Sequence, residues 1–388
     1  MQATTRTNGV PWDVLVLGGG VVGTAAAWRV AQRGLKVLQF DPAPGSGASG
    51  VAAGMLAPVS ELHHGEEVLL GVSLQAAERY QAYVADVTRA GGVETGYRKC
   101  GTLAVALAVD DRARLADVRA VQQRLGLDVV ALTGRECRQL ERLLDPAVSG
   151  GTWIRGDHQV DPRRLLTALR AAAAAAGVEV EALPGEVQVE GGRAVGVRLP
   201  GGRVVCSRWV VLATGAHAAA HAPVRPVTGQ IARLRMPPGE HVLQRTVRGL
   251  VRDRDVYLVP RLDGELVVGA TSEERGFDAR TTAGGVYELL RDAQALVPAV
   301  GELEFLEVAA RSRPGTPDNV PLIGEGAVAG LVLATGHGRN GVLLSGVTAD
   351  AVAAVVSGQD VPAPLAACRP DRFAVPRQGR ARREDVRA

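Results

Sequence analysis

Aromatic residues supply only 3% of this 388-residue chain, and lysine occurs twice, at Lys36 and Lys99. With the basic groups nearly all arginine and a net charge of only +3, nucleic acid is excluded as the main partner. The four cysteines, Cys100, Cys137, Cys206 and Cys368, are far apart and form no CxxC pair. That spacing excludes a disulfide scaffold, suits a reducing compartment and offers no metal site. No apolar run reaches the ~18 to 20 residues of a membrane span. Residues 1–13 hold one arginine and no apolar stretch, so they do not read as a secretory signal. A soluble, cytoplasmic protein is expected.

What the chain has instead is glycine: 48 residues, about 12% against a typical ~7%. The glycines follow no triplet period, which excludes collagen, and they cluster between apolar runs, as close backbone contact with a ligand requires. At 46% hydrophobic and 22% charged the chain is globular rather than disordered. Its length suggests two domains, or one large domain with an insertion.

The first element is a short apolar strand over 14–17, followed by Gly18, Gly19, Gly20, Val21, Val22 and Gly23. An alanine-rich helix over 24–33 stops at Gly34, and a second strand over 36–40 ends on Asp41. In this context Gly18, Gly20 and Gly23 let backbone N–H groups approach a pyrophosphate. The helix start at Val21 or Val22 adds its positive dipole end. Asp41, about twenty residues on, is placed to accept hydrogen bonds from a ribose. These residues alone do not separate NAD from FAD.

Downstream, the periodicity predicts helices over 66–88, 163–176 and 286–297. A buried strand ends at Ala213, Thr214 and Gly215, where the chain can approach the same nucleotide. Strands at 256–260 and 265–270 around Leu262-Asp263-Gly264 make the clearest hairpin. Gly336, His337, Gly338, Arg339, Asn340 and Gly341 read as a second glycine-rich helix start, whose dipole would stabilise negative charge on a reduced flavin, or equally as a capped loop.

Taken together, the motifs resemble the D-amino-acid-oxidase-like flavoprotein family, most closely the glycine oxidases of thiamine biosynthesis. The resemblance rests on GGGVVG with Asp41, SGASGVAAGMLAP (46–58), QVDP (159–162), ATG (213–215), YLVPR…GELVVGAT (257–271), GFDAR (276–280), RPGTPD (313–318) and GHGRNGVLL (336–344). It implies an α/β fold with a Rossmann-like FAD-binding domain and an inserted antiparallel-sheet substrate domain. The FAD domain would comprise 1–90, 150–222 and 315–375, the substrate domain 91–149 and 223–314, and 376–388 a disordered tail.

The resemblance further implies non-covalent FAD and oxidation of glycine, sarcosine or small D-amino acids. Oxygen would become hydrogen peroxide, and the imine would feed thiazole formation, with thiazole synthase as recipient. A homo-oligomer is implied as well. Tyr257 and Arg313 would hold the substrate carboxylate, a role suited to a forked guanidinium and a hydroxyl. Met55, Ser272 and Arg339 would border the substrate. Gly18, Gly20, Val21, Val22, Gly23, Asp41, Ser49, Ala53, Gly54, Met55, Thr214 and Gly215 would line the FAD, with Gly336 to Leu343 (including His337, Gly338, Arg339, Asn340, Gly341 and Val342) at its pyrimidine edge. Read without the family, Tyr257 is an ordinary strand residue and Arg313 a surface arginine before a turn.

Three positions depart from the family pattern. Ala309, Ala310, Arg311 and Ser312 replace Trp-Ala-Gly-Leu, Gly338 stands where an aromatic is usual, and Ser272 stands where some relatives have methionine. Each change removes apolar bulk or adds polarity, so a roomier or more polar pocket is expected. Two other readings stay open: a D-amino-acid dehydrogenase passing electrons to a quinone, and a non-catalytic flavoprotein subunit. A sarcosine-oxidase-like covalent flavin is disfavoured, because 311–321 contain no cysteine.

Overall fold

The computed structural model describes residues 12–237, 239, 242–252 and 254–373. The expected tail at 376–388 and most of the leading segment lie outside the described residues.

Two eight-stranded sheets organise the chain. In the first, Trp12–Leu17 lies between Val204–Leu212 and Val37–Phe40, parallel to both. Leu331–Thr335 and Glu179–Glu181 extend the parallel run on either side, and Leu322–Glu325 closes one edge antiparallel. The Val14 to Leu17 run is buried on both faces, as a central parallel strand must be. Helices Val21–Ala31, Glu67–Gly91, Pro162–Ala175 and Ser345–Val356 pack in one core against one face. The other face is covered with the help of the hairpin Glu186–Glu190 and Arg193–Arg198. The chain passes from Trp12–Leu17 to the strand on one side and from Val204–Leu212 to strands on the other, so the C-terminal ends of these two form the switch point of the sheet, its crevice. That is where α/β sheets of this kind bind ligands.

The second sheet runs in the order Glu304–Gly315, Arg225–Arg235, Glu265–Gly269, Arg254–Pro260, Thr246–Val251, Thr102–Ala106, Gly150–Ile154, Val129–Thr133. It is antiparallel except at one junction, Thr246–Val251 with Thr102–Ala106, where its two chain segments meet in parallel. Gly150–Ile154, grouped with the nucleotide elements on sequence, pairs instead with Thr102–Ala106 and Val129–Thr133 in this sheet. The period-two alternation sorts its side chains cleanly. Val256, Leu258, Leu266 and Val268 face the helix Ala283–Leu296, whose Leu289, Ala293 and Leu296 share their cluster. Tyr257, Val259, Val267 and Ile231 point the other way, onto Ala53 and Met55 of the first unit.

One expected element differs. The glycine-rich stretch at 336–341 does not open a helix; turns run through it and the helix starts at Ser345. Gly336 and Gly338 have φ of 76° and 52°, left-handed values a helix cannot contain. Among the described residues no helix is long and apolar enough to cross a membrane.

Candidate active site

The crevice of the first sheet is built by close approach. A Cβ on Gly18 would stand 2.3 Å from the Ala213 carbonyl oxygen, and one on Gly23 would stand 2.1 Å from the Gly18 oxygen. Only glycine lets strand, turn and helix meet this tightly. Gly20 caps the helix Val21–Ala31 without a side-chain hydrogen bond, so its dipole end faces the crevice. Ser49 Oγ accepts from the Val21 amide at 3.1 Å, which brings the 45–54 loop over that end. Asp41 leans back over the turn, accepting from the Gly19 amide and, at 2.8 Å, from the Ala43 amide. At the tip of the neighbouring strand, Thr214 Oγ1 is buried with no partner. Gly54, at φ 73°, accepts with its carbonyl from the Val160 amide at 2.9 Å.

Not every expected residue turns its side chain to the crevice. His337 is buried with a ring nitrogen 2.9 Å from Thr348 Oγ1, and burial pulls its pKa down to about 4. Val342 and Leu343 pack in the core, and Tyr80 donates to the Val342 carbonyl at 3.2 Å. Any contact these two make with a ligand is through backbone. Ser272 is exposed in the loop after Glu265–Gly269.

Across the crevice, the second sheet brings Tyr257 and Arg313 together. Tyr257 lies opposite Gly269, and Gly269 opposite Ile231, which in turn pairs with Ala309. Arg313 lies on the same strand as Ala309, four residues on and so on the same face. The two side chains are neighbours, near enough for the guanidinium charge to act on the hydroxyl. Burial raises the tyrosine hydroxyl above its ordinary pKa, with Arg313 opposing, so it stays protonated as a donor at neutral pH. Two glycines make the arrangement possible. A Cβ at Gly269 would stand 2.4 Å from the tyrosine Oη, and one at Gly229 would stand 2.3 Å from an Arg313 nitrogen. Arg313 itself makes one long contact, 3.4 Å to the Thr271 carbonyl, and no carboxylate pairs with it among the described residues.

The two units are tied together around this face. Arg261, almost wholly buried, donates to Gln159 Oε1 at 2.9 Å, to the Val160 carbonyl at 3.0 Å and to the Ala53 carbonyl. Arg311 Nε donates to the Ser46 carbonyl at 2.6 Å, so this departure from the family pattern clasps the 45–54 loop. At Gly338, a Cβ would meet nothing within 4 Å. Arg339 pairs with Glu66 and donates to the Glu61 carbonyl at 2.8 Å. Arg248, directly opposite Tyr257 in the sheet, reaches Glu61 Oε1 at 3.2 Å. Buried Asp157 holds the loop beneath, accepting from the Val59 and Ser60 amides at 3.1 and 2.7 Å.

A glycine turn, a helix N-terminus and an acid at the second strand's tip meet an arginine–tyrosine pair from an inserted sheet. Residues 13–355 match the family model described as FAD dependent oxidoreductase. The chain belongs to that family. It is 35% identical to the bifunctional protein ThiO/ThiG of Synechocystis sp. over 93% of its length and 54% of that protein. The chain thus spans about half the length of the first curated relatives it matches. It is 33% identical to the glycine oxidase of Geobacillus kaustophilus, covering 92% of this chain and 95% of that one. The crystal structure of glycine oxidase from that organism superimposes with a TM-score of 0.85, over 94% of this chain and 100% of that one. Iminodiacetate oxidase from Chelativorans sp. BNC1 follows at 26% identity and a TM-score of 0.83, covering 92% and 98%.

The residues fit the family's cofactor. The orphaned Thr214 hydroxyl, the N-terminus of Val21–Ala31 and the Gly18–Gly23 cradle are what a flavin dinucleotide requires of a protein. FAD, when bound, supplies the two-electron chemistry. Gly229, Glu61, Glu66, Arg248 and Asp157 carried no motif that could have marked them on sequence. Gly269 and Arg261 lay inside quoted motifs, but their partners are more than 90 residues away or across a sheet.

Proposed function

We propose that this flavoprotein oxidises glycine and other small amino acids, such as sarcosine and small D-amino acids, with oxygen as acceptor. The amino acid becomes an imine, oxygen becomes hydrogen peroxide, and water converts the imine to an oxo acid and ammonia unless a thiazole synthase receives it for thiamine synthesis. The kinship with ThiO/ThiG and glycine oxidase supports this reading. One observation carries it: among the described residues Arg313 has no carboxylate partner, and it stands beside a protonated Tyr257 on the sheet face that meets Met55.

In this reading the Arg313 guanidinium and the Tyr257 hydroxyl hold the substrate carboxylate, fixing the α-carbon over the crevice. Gly18 to Gly23, Asp41, Ser49, Thr214 and the 336–343 turns hold the dinucleotide non-covalently. At Gly338, where an added Cβ would meet nothing within 4 Å, the site has room for a substrate larger than glycine. No protein base is needed once the substrate amine is neutral, so the rate rises with pH as that amine deprotonates.

Adding glycine or D-alanine anaerobically to the yellow protein tests the reading. Bleaching of the visible flavin bands, and peroxide in aerated buffer without added acceptor, are the expected results. Bleaching without peroxide would instead favour a dehydrogenase that serves another acceptor, and no bleaching with any small amino acid would refute an amino-acid oxidase.

A further inference from the structure

Arg248 and Glu61 act on the Tyr257 hydroxyl, and ion pairs run on from Glu61 through Arg339 to Glu66. Arg248 shares a face with Tyr257 because the two residues are directly opposed in an antiparallel pair. Glu61 lies 3.2 Å from Arg248 and 3.9 Å from Arg339, and Glu66 pairs with Arg339 and accepts from Asn319 Nδ2 at 2.8 Å. Both glutamates are largely shielded from water, their side chains being 12% and 8% exposed. Asp255, two residues from Tyr257 on the same strand, is exposed, and water screens its charge. Arg248 and Arg339 each have a glutamate within ion-pair range, buried Asp157 beneath also acts on Arg248, and Arg313 alone of the three is unmatched at that range among the described residues. Arg248 Nη1 is buried and makes no aligned hydrogen bond, although Glu61 is within ion-pair range. Its contact with Glu61 is charge against charge, leaving an N–H unused.

We propose that Glu61 is the residue that restricts this site to substrates with a single carboxylate, by neutralising Arg248 next to Tyr257. A substrate bearing one carboxylate completes the charge balance at Arg313. A second carboxylate, as in an N-carboxymethyl or acidic side-chain amino acid, meets Glu61 instead of a free arginine and is repelled. Without the Glu61 charge, Arg248 becomes a second unmatched cation with a donor already buried and unused, and the site becomes one for dicarboxylates. The inference deepens the glycine-oxidase reading, since it takes Arg313 and Tyr257 as holders of the first carboxylate.

Calorimetric titration of the FAD-loaded protein with the unreactive acids glycolate and diglycolate tests this without turnover. Wild type is expected to favour glycolate, and Glu61→Gln to shift the diglycolate-to-glycolate preference toward the dicarboxylate at least tenfold. Glu61→Asp, which keeps the charge, should retain the wild-type preference. Adding Arg248→Met to Glu61→Gln should abolish the gain. An unchanged preference in Glu61→Gln, or a gain that survives in the double variant, would overturn the proposal. If Glu61→Gln does not yield folded flavoprotein, Arg248→Met alone decides. It leaves Glu61 with only the longer contact to Arg339, 3.9 Å, and should weaken glycolate binding at least fivefold, with salt relieving the loss, whereas unaltered affinity would overturn the proposal. If wild type and variants bind as stated while no amino acid bleaches the flavin, the oxidase reading fails and the charge filter stands.

Discussion

Replacing Gly229 by alanine separates what holds the fold from what holds the substrate. Gly229 lies in Arg225–Arg235 opposite Arg311, and the Arg313 guanidinium lies over it. An alanine Cβ would stand 2.3 Å from one guanidinium nitrogen and 2.6 Å from both its carbon and its other terminal nitrogen. Ordinary contact begins near 3.4 Å, so the guanidinium must retreat by roughly 1 Å. The obstructed atoms are the far end of a flexible side chain, and the Gly229 backbone is not left-handed. Stability should therefore change by less than about 1 kcal/mol, since alanine is tolerated in a strand. Function should not be spared, because a forked pair needs both nitrogens aligned on the carboxylate. Losing one charge-assisted hydrogen bond costs about 1.5 to 3 kcal/mol, a roughly tenfold to hundredfold rise in the Kd for glycolate and in KM for glycine. Thermal unfolding checks the first half, and calorimetry with steady-state kinetics checks the second. A Gly229→Ala protein with unchanged glycolate affinity would refute the placement of Arg313 as the carboxylate holder. A large fall in Tm would show instead that the strand cannot yield there.

Gly18→Ala faces a backbone obstacle, 2.3 Å to the Ala213 oxygen at φ 107°, and should cost about 2 kcal/mol or more and release flavin, seen as loss of visible absorbance after gel filtration. Arg261→Met strands the Gln159, Val160 and Ala53 oxygens and should lower stability by about 3 kcal/mol, measured by urea unfolding. His337, held at about 4 against an ordinary 6.5, refuses a proton that the unfolded chain accepts. Its contribution is intact above pH 6.5 and is lost as pH falls toward 4, about 3 kcal/mol in all, and His337→Gln should flatten that part of the stability–pH curve.

Much of the first unit was legible because its pattern is local. Residues 14 to 41 alternate strand, glycine turn, helix and strand within reach of one another, although the neighbour that requires Gly18, Ala213, is distant in sequence. The Leu262-Asp263-Gly264 hairpin was readable for the same reason, since turn chemistry and alternation sit in one short window. The 336–341 stretch misled because glycine both precedes helices and prevents them. Only the positive φ at Gly336 and Gly338, set by packing such as Thr316 against Gly336, decided for turns.

The sequence by itself determined the strand, glycine turn, helix and strand of 14–41 and, through the quoted motifs, singled out Tyr257 and Arg313 as candidates. Tertiary structure alone decided what surrounds them. Arg248 meets Tyr257, Glu61 meets Arg248, and Gly229 yields to Arg313 because strands distant in sequence pair in one register. Charge balance in a site is a property of side chains that converge in space, and no periodicity along the chain records which arginine is left without a partner.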